Sequence, residues 1–211
     1  MDSLELSLFG KFIARYGGEV VRDLEARKAQ ELFAYLLLHR DRPHTRERLA
    51  TLLWSDLPDS TAKRYLSKAL WQLQSALEVG QDECSKLFEV DPEWINISPE
   101  AGVHTDVAIF DATFESVKQL NGRQLDAWQI DLLAQSVDLY QGELLEGWYH
   151  DWCVIERQKR HDQLLQMLDK LTDYYEACAQ YENGLYYGRM VLSYDRARER
   201  THRRLMRLYY L

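Results

Sequence analysis

The sequence predicts an α+β winged helix over residues 1–102, followed by an all-α domain of paired helices over residues 103–211. Three observations lead to this prediction. Short alternating runs open the chain, a helix–turn–helix pattern precedes a second pair of alternating runs, and every later segment has helical periodicity. A chain of 211 residues is long enough for one large domain or two small ones.

The first predicted element is a small antiparallel sheet. Apolar and polar residues alternate over residues 4–9, which indicates a strand with one buried face. Residues 12–16 and 19–22 predict two further short strands, with a hairpin turn at Gly17-Gly18 between them.

Two helices are predicted next. Residues 25–39 have helical period, and Pro43 interrupts the pattern within a polar turn. Thr45 can cap a short helix whose first turn contains Arg46 and Arg48. The helix dipole disfavours cations at that end, so these arginines suit contact with phosphate, although a simple exposed turn explains them nearly as well.

A long helix is predicted between Pro58 and Gly80. Asp59 or Ser60 can cap its first turn, and Gly80 can end it in the left-handed conformation. One apolar stripe runs along it, formed by Ala62, Leu66, Ala69, Leu70, Leu73 and Leu77.

The opposite face of this helix combines cations, amides, hydroxyls and one aromatic ring. Such a face could enter a DNA major groove, where cations meet phosphates and amides meet base edges. A solvated helix face is the alternative interpretation. The candidate DNA-binding residues on this helix and the preceding one are Arg46, Arg48, Lys63, Arg64, Ser67, Lys68, Trp71, Gln72, Gln74 and Ser75.

Trp71 differs from the other candidates because an exposed tryptophan usually marks a contact. Burial in a dimer or against the second domain is the interpretation we favour for it. Contact with a thymine methyl or a sugar is the alternative.

Residues 87–90 and 94–97 alternate around an Asp91-Pro92-Glu93 turn and predict a β-hairpin. A hairpin after a helix–turn–helix is the plan of a winged helix, in which the long helix is the recognition helix. Turn residues followed by an acidic and apolar stretch place the domain junction within residues 98–111.

Everything after the junction has helical character. Helices are predicted over residues 112–120, 126–140, 154–180, 185–194 and 199–211, with breaks at Asn121-Gly122, Gly142 and Asn183-Gly184. Antiparallel helix pairs with aromatic and small residues in register suggest a tetratricopeptide-like stack, and a generic helical bundle stays open.

The charge balance limits how the chain could meet nucleic acid. The net charge is −8, and residues 1–98 contain 13 Lys and Arg against 16 Asp and Glu. Any contact with DNA must therefore use a local patch of cations. No apolar run is long enough to span a bilayer, and no signal peptide is visible. These features and three scattered cysteines predict a cytoplasmic protein without a membrane partner.

Neither catalysis nor a cofactor is expected. His150, Asp151 and Cys153 stand close together, but no second ligand pair has a matching spacing, so a polar turn is a simpler explanation than a metal site. No catalytic arrangement of serine or cysteine with histidine can be argued from the sequence.

Several segments resemble the bacterial activators of the antibiotic regulatory protein type (SARP-like). The resemblance covers nearly the whole chain. The matching segments are Leu6-Ser7-Leu8-Phe9-Gly10, Leu49-Ala50-Thr51-Leu52-Leu53-Trp54-Ser55-Asp56, Val103-His104-Thr105-Asp106 through Phe110, Tyr140-Gln141-Gly142-Glu143-Leu144-Leu145, Glu156-Arg157 and Asp195 through Glu199.

This resemblance implies a winged helix of the response-regulator kind joined to a bacterial transcriptional activator domain. It also implies binding to direct repeats in double-stranded promoter DNA, with the helical half mediating dimerisation or contact with RNA polymerase. The chain departs from the family pattern at Ser67 and Gln74, where a basic residue is usual, and each lost cation weakens phosphate anchoring.

Two functions are therefore carried forward. The first is a DNA-binding transcriptional activator. The alternative is a protein-interaction module, part of a larger signalling protein, whose winged helix has lost DNA binding.

Overall fold

A computed structural model describes residues 3–78, 87–98 and 101–210. The chain divides into two compact units. The first comprises Met1–Leu8 and Phe12–Thr105, and the second comprises Phe9–Lys11 and Asp106–Leu211.

A four-stranded sheet opens the first unit. Its strands are β1 (Leu4–Ser7), β2 (Ile13–Tyr16), β3 (Glu19–Val20) and β7 (Val103–Thr105), in the order β3-β2-β1-β7. The first three are antiparallel, as predicted, and somewhat shorter than predicted. The fourth strand, β7, pairs in parallel with β1 and buries Val103 and Thr105. The compact unit therefore extends to Thr105, three residues beyond the predicted end of the first domain.

Phe9–Lys11 belongs to the second unit, although the sequence predicted it within the first domain. The Phe9 amide donates to the Asp106 carboxylate at 3.0 Å. The Gly10 amide donates to the Glu143 carbonyl at 2.9 Å, and the Glu146 amide donates to the Gly10 carbonyl at 2.8 Å. The predicted strand over residues 4–9 ends at Ser7 because the backbone groups beyond it bond to the helical unit.

The helix–turn–helix is confirmed. It comprises α1 (Arg27–Leu38), α2 (Arg46–Leu53) and α3 (Asp59–Glu78), with β4 (His44–Thr45) before α2. Thr45 caps α2 as predicted, since its hydroxyl accepts from the Arg48 amide at 3.3 Å. The predicted end of the long helix at Gly80 lies outside the described residues.

The predicted hairpin is also present, as β5 (Phe88–Val90) and β6 (Trp94–Ile97). The Asp91 carboxylate holds the turn by accepting from the Glu93 amide at 2.7 Å and the Trp94 amide at 2.8 Å. β4 adds to the other side of β6, which makes a three-stranded wing sheet in the order β4-β6-β5.

The second unit is helical, as predicted. Its helices are α4 (Asp106–Val117), α5 (Ala127–Asp138), α6 (Asp151–Ala177), α7 (Tyr181–Tyr194) and α8 (Glu199–Tyr210), with a 3₁₀ turn at Gly122–Gln124. The predicted start of α4 at residue 112 was wrong by six residues. Asp106 begins the helix, its carboxylate accepting from the Val107 amide at 2.8 Å.

The predicted helix break at Asn183-Gly184 was wrong, since both residues lie inside α7. The chain instead turns after α6, where Ala179 has a φ of 57°. Glycine occurs in α7 because α8 packs close to it. A Cβ added at Gly188 would lie 2.5 Å from the Leu205 side chain, and one added at Gly184 would lie 3.3 Å from that of Leu208.

Arginines of α8, and Arg198 just before it, pair with carboxylates of α6. Arg198 pairs with Asp169 at 2.6 Å, Arg204 pairs with Asp173 and Glu176, and Arg207 pairs with Glu176. Within the described ranges, no helix is long and apolar enough to cross a bilayer.

Candidate nucleic-acid interface

The exposed face of α3 contains most of the predicted DNA-binding side chains. Its inner stripe is buried as predicted, with Leu66 and Leu73 fully enclosed. The exposed candidates are Lys63, Arg64, Ser67, Lys68 and Trp71, and the half-buried ones are Gln72, Gln74 and Ser75. The stripe from Arg64 to Ser75 is about 16 Å long at the helical rise per residue, which is comparable to a few base pairs of a groove.

The two predicted arginines of α2 differ in their placement. Arg48 is exposed, whereas Arg46 is half-buried and its guanidinium donates to the Ser67 hydroxyl at 3.0 Å. Ser67 in turn donates to the Lys63 carbonyl at 3.0 Å. The structure therefore joins the start of α2 to the first turns of α3.

A carboxylate of another helix lies near one of these cations. Residues 60–77 contain no Asp or Glu, but Glu47 of α2 lies 3.8 Å from the Lys63 ammonium. Both side chains are more than half exposed, so solvent screens the pair and it is weak. Sequence reasoning missed this neighbour because Glu47 belongs to a different helix.

Trp71 is 65% exposed. The described residues therefore leave this side chain largely uncovered, and its burial in a dimer or against the second domain stays a prediction. The other aromatic residue of this face, Tyr65, stacks on Trp54 with ring centroids 6.3 Å apart, and Arg64 lies 5.6 Å from its ring. The indole of Trp71 is thus left facing solvent next to Lys68.

The wing differs in charge from α3. Its described residues, 87–98, include Glu89, Asp91 and Glu93 and contain no Lys or Arg. Carboxylates are repelled by phosphates, so this hairpin is electrostatically unsuited to the DNA backbone.

His44 lies just before α2 and is buried. Its ring packs against Tyr35, and its Nε2 lies 2.9 Å from the His39 carbonyl oxygen. Burial lowers the pKa of His44, with Arg42 and Arg48 contributing in the same direction. The lowered pKa favours the neutral form of this imidazole.

The His150-Asp151-Trp152-Cys153 segment forms the start of α6. Cys153 is buried, and the His150 ring stacks on Trp152 with centroids 6.4 Å apart. Among the residues that the structure describes, no group of three His, Cys, Asp or Glu side chains could hold a metal ion.

Comparison with known proteins identifies the helical half. No curated protein matches the chain. A solved structure of Mycobacterium tuberculosis EmbR, in complex with a low-affinity phosphopeptide, has the same fold, with a TM-score of 0.74 and 18% identity. The match covers 100% of this chain and 55% of the EmbR chain, so this chain spans about half of that protein.

Residues 105–211 match the bacterial transcriptional activator domain, which is half of the chain. The match covers α4 to α8 and agrees with the resemblance found in the sequence. The chain therefore belongs to the bacterial transcriptional activator domain family.

Proposed function

We propose that this regulator binds double-stranded promoter DNA through the exposed face of α3, assisted by Arg46 and Arg48 of α2. The observation that carries the proposal is the separation of charge in the first unit. Residues 60–77 have three cations and no carboxylate, although the chain as a whole has a net charge of −8. A local positive strip on a recognition helix is what phosphate contact requires.

In this proposal the cations anchor α3 and the remaining side chains read the bases. Lys63, Arg64 and Lys68 contact phosphates, which positions the helix without selecting a sequence. Gln72, Gln74 and Ser75 have the donors and acceptors that base edges can use. Trp71 supplies an apolar surface on the same helix, and a thymine methyl is a suitable partner for it in the major groove.

The wing takes little part in DNA binding in this arrangement, because its carboxylates face the same negative backbone. The helical half, in turn, supports a homodimer or a contact with RNA polymerase. We also place the protein in the cytoplasm, where promoter DNA is accessible.

A selection from random duplexes, followed by titration of the recovered site at several salt concentrations, tests the proposal. Arg64→Gln with Lys68→Gln should bind more weakly. The slope of log K against log salt is negative, and its magnitude should decrease by about 2 in this variant, since each phosphate contact contributes about 0.9. The matched control is Arg15→Gln with Arg22→Gln, which removes the same charge from strand β2 and from the turn after β3 and should leave the slope unchanged. Equal slopes for the two double variants would refute the placement of DNA on α3.

The role of Trp71 has its own test. Each thymine of the recovered site is replaced by deoxyuridine, which deletes only the methyl group. One such replacement should weaken binding about tenfold for the unaltered chain, in line with a base-discriminating contact, and should have little effect on Trp71→Ala. If no thymine behaves in this way, Trp71 does not read a methyl group.

A protein-interaction module remains the second candidate function. The acidic wing and the total charge of −8 favour it, since both oppose DNA binding. Under this alternative the unaltered chain binds no duplex at low salt, and the selection recovers no common sequence.

A further inference from the structure

A second cluster of cations lies on α8, in the helical unit, and is not used by the proposed DNA contact. Arg200, Arg203, Arg204 and Arg207 follow helical spacing and line one side of this helix. We call this surface the arginine face. Arg203 and Arg207 are strongly exposed, at 76% and 56% of the side chain, whereas Arg204 is 11% exposed.

The carboxylates that pair with these arginines mostly lie beneath them. Asp173 and Glu176 of α6 are 20% and 10% exposed, and they pair with Arg204 and Arg207. Arg203 pairs with the exposed Glu199 of the same helix. Among the described residues, Arg200 forms no ion pair. Arg200, Arg203 and Arg207 are therefore exposed to solvent. Of the carboxylates that pair with the arginine face, Glu199 is the exposed one.

This arrangement forms a cleft. Its volume is about 350 Å³, and the residues that line it are Glu199, Arg200, Arg203, Arg204 and Arg207. Guanidinium groups that are already held by buried carboxylates lose less conformational freedom when they bind a further anion. Arg204 and Arg207 are held in this way by Asp173 and Glu176. This part of the cleft is therefore preorganised for a carboxylate side chain, which a guanidinium can bind through two parallel hydrogen bonds.

Apolar side chains stand beside the cleft. Met206 is 68% exposed and Tyr210, one helical turn later, is 91% exposed. Exposed methionine, tyrosine and arginine side chains together are the composition of a protein–protein interface. A nucleic-acid backbone would gain little from Met206 and would be repelled by Glu199.

We propose that the arginine face, with Met206 and Tyr210, binds an acidic segment of a partner protein that also carries apolar side chains. Its carboxylates enter the cleft and its apolar side chains cover Met206 and Tyr210. We assign an acidic occupant because its negative charge complements the exposed arginines. The inference does not rest on DNA binding by α3, because it concerns other residues and is tested without DNA.

A pair of synthetic peptides tests the proposal on the full 211-residue chain. The probe is a fluorescein-labelled peptide of about 16 residues in which Glu and Leu recur at helical spacing, and its matched partner has Gln in place of every Glu. Fluorescence anisotropy at low salt measures both affinities. The Glu peptide should bind about tenfold more tightly than the Gln peptide.

Arg200→Gln with Arg203→Gln should remove most of this difference. These two arginines were chosen because neither pairs with α6, so the Arg204 contacts that hold α8 stay intact. Arg123→Gln removes an exposed cation elsewhere in the unit and should leave binding unchanged. Circular dichroism and thermal unfolding verify that each variant is folded. Met206→Ser should weaken the Glu peptide about threefold through lost apolar contact.

Four results would overturn the proposal. Equal affinity for the two peptides, or an equal effect of the α8 and Arg123 variants, would show that the arginine face has no preference for carboxylates. Displacement of the peptide by unrelated duplex DNA through Arg200 and Arg203 would make this face a nucleic-acid contact. Sedimentation that shows a dimer abolished by the same two substitutions would make a second copy the occupant.

Discussion

The cations of α3 and those of α8 are alike in sequence and different in structure. On α3, Arg64 and Lys68 are exposed and form no ion pair among the described residues. On α8, Arg204 and Arg207 pair with carboxylates of α6 and thereby attach one helix to another. The comparison shows that a count of positive residues cannot separate cations that build the fold from cations that are free to bind a ligand.

Arg160 is an almost completely buried cation that forms ion pairs within the fold, and its replacement should have the largest effect on stability. It is 1% exposed and pairs with Asp111 at 2.7 Å and with Glu156. Arg160→Met leaves two poorly solvated carboxylates without their cation, so the free energy of unfolding should fall by about 3 kcal/mol. Urea titration measures the change, with Arg123→Met as the control. A loss equal to that of the control would mean that this buried pair does not stabilise the unit.

The same variant should depend on pH in a defined direction. Burial raises the pKa of Asp111, and Arg160 opposes that rise. Without Arg160 the folded-state pKa rises further above the unfolded value, so the folded state binds the proton more tightly and is stabilised as pH falls. Arg160→Met should therefore lose less stability near pH 5 than at pH 7, and urea titrations at both values measure this. The same loss at both pH values would contradict the role assigned to Asp111.

Arg204 should have the next largest effect. Arg204→Gln breaks its pairs with Asp173 and Glu176, and we expect the free energy of unfolding to fall by about 2 kcal/mol. Arg203→Gln is the matched control, because its pair with Glu199 lies within α8 and is exposed, so its loss should be barely measurable. Similar losses for the two variants would show that α8 is not held by these charges.

Close packing of α7 and α8 gives a smaller effect. An alanine at Gly188 would force Leu205 to move, and the strain of about 2 kcal/mol exceeds the roughly 1 kcal/mol that alanine gains over glycine in a helix. Gly188→Ala should therefore be less stable by about 1 kcal/mol, whereas Gly184→Ala, with 3.3 Å to Leu208, should be near neutral. Thermal unfolding of both variants measures the difference. Equal midpoints would mean that Leu205 moves without strain.

The exposed cations of α3 should have the smallest effect on the fold. Arg64→Gln with Lys68→Gln removes no ion pair among the described residues, so the thermal midpoint should shift by no more than about 2 °C. The same variant is expected to weaken DNA binding. A clear loss of stability would place these cations with Arg204, among those that build the fold.

Short-range sequence patterns correctly predicted the elements whose structure depends on a few neighbouring residues. The Thr45 cap, the apolar stripe of α3 and the hairpin around Asp91 all depend on contacts within a few positions. Predictions at Gly184 and Asp106 were wrong for the opposite reason. Glycine at 184 accommodates Leu208, and Asp106 begins α4 while also binding the Phe9 amide.

The amino-acid sequence by itself determined the order of elements, the two-part organisation and the family resemblance. Periodicity and capping depend only on residues that are close together in the sequence. Tertiary structure decided which cations are neutralised. Glu47 approaches Lys63 from another helix, and Asp173 and Glu176 meet α8 from about thirty positions away. Electrostatic energy depends on distance in space, and only the folded chain sets those distances.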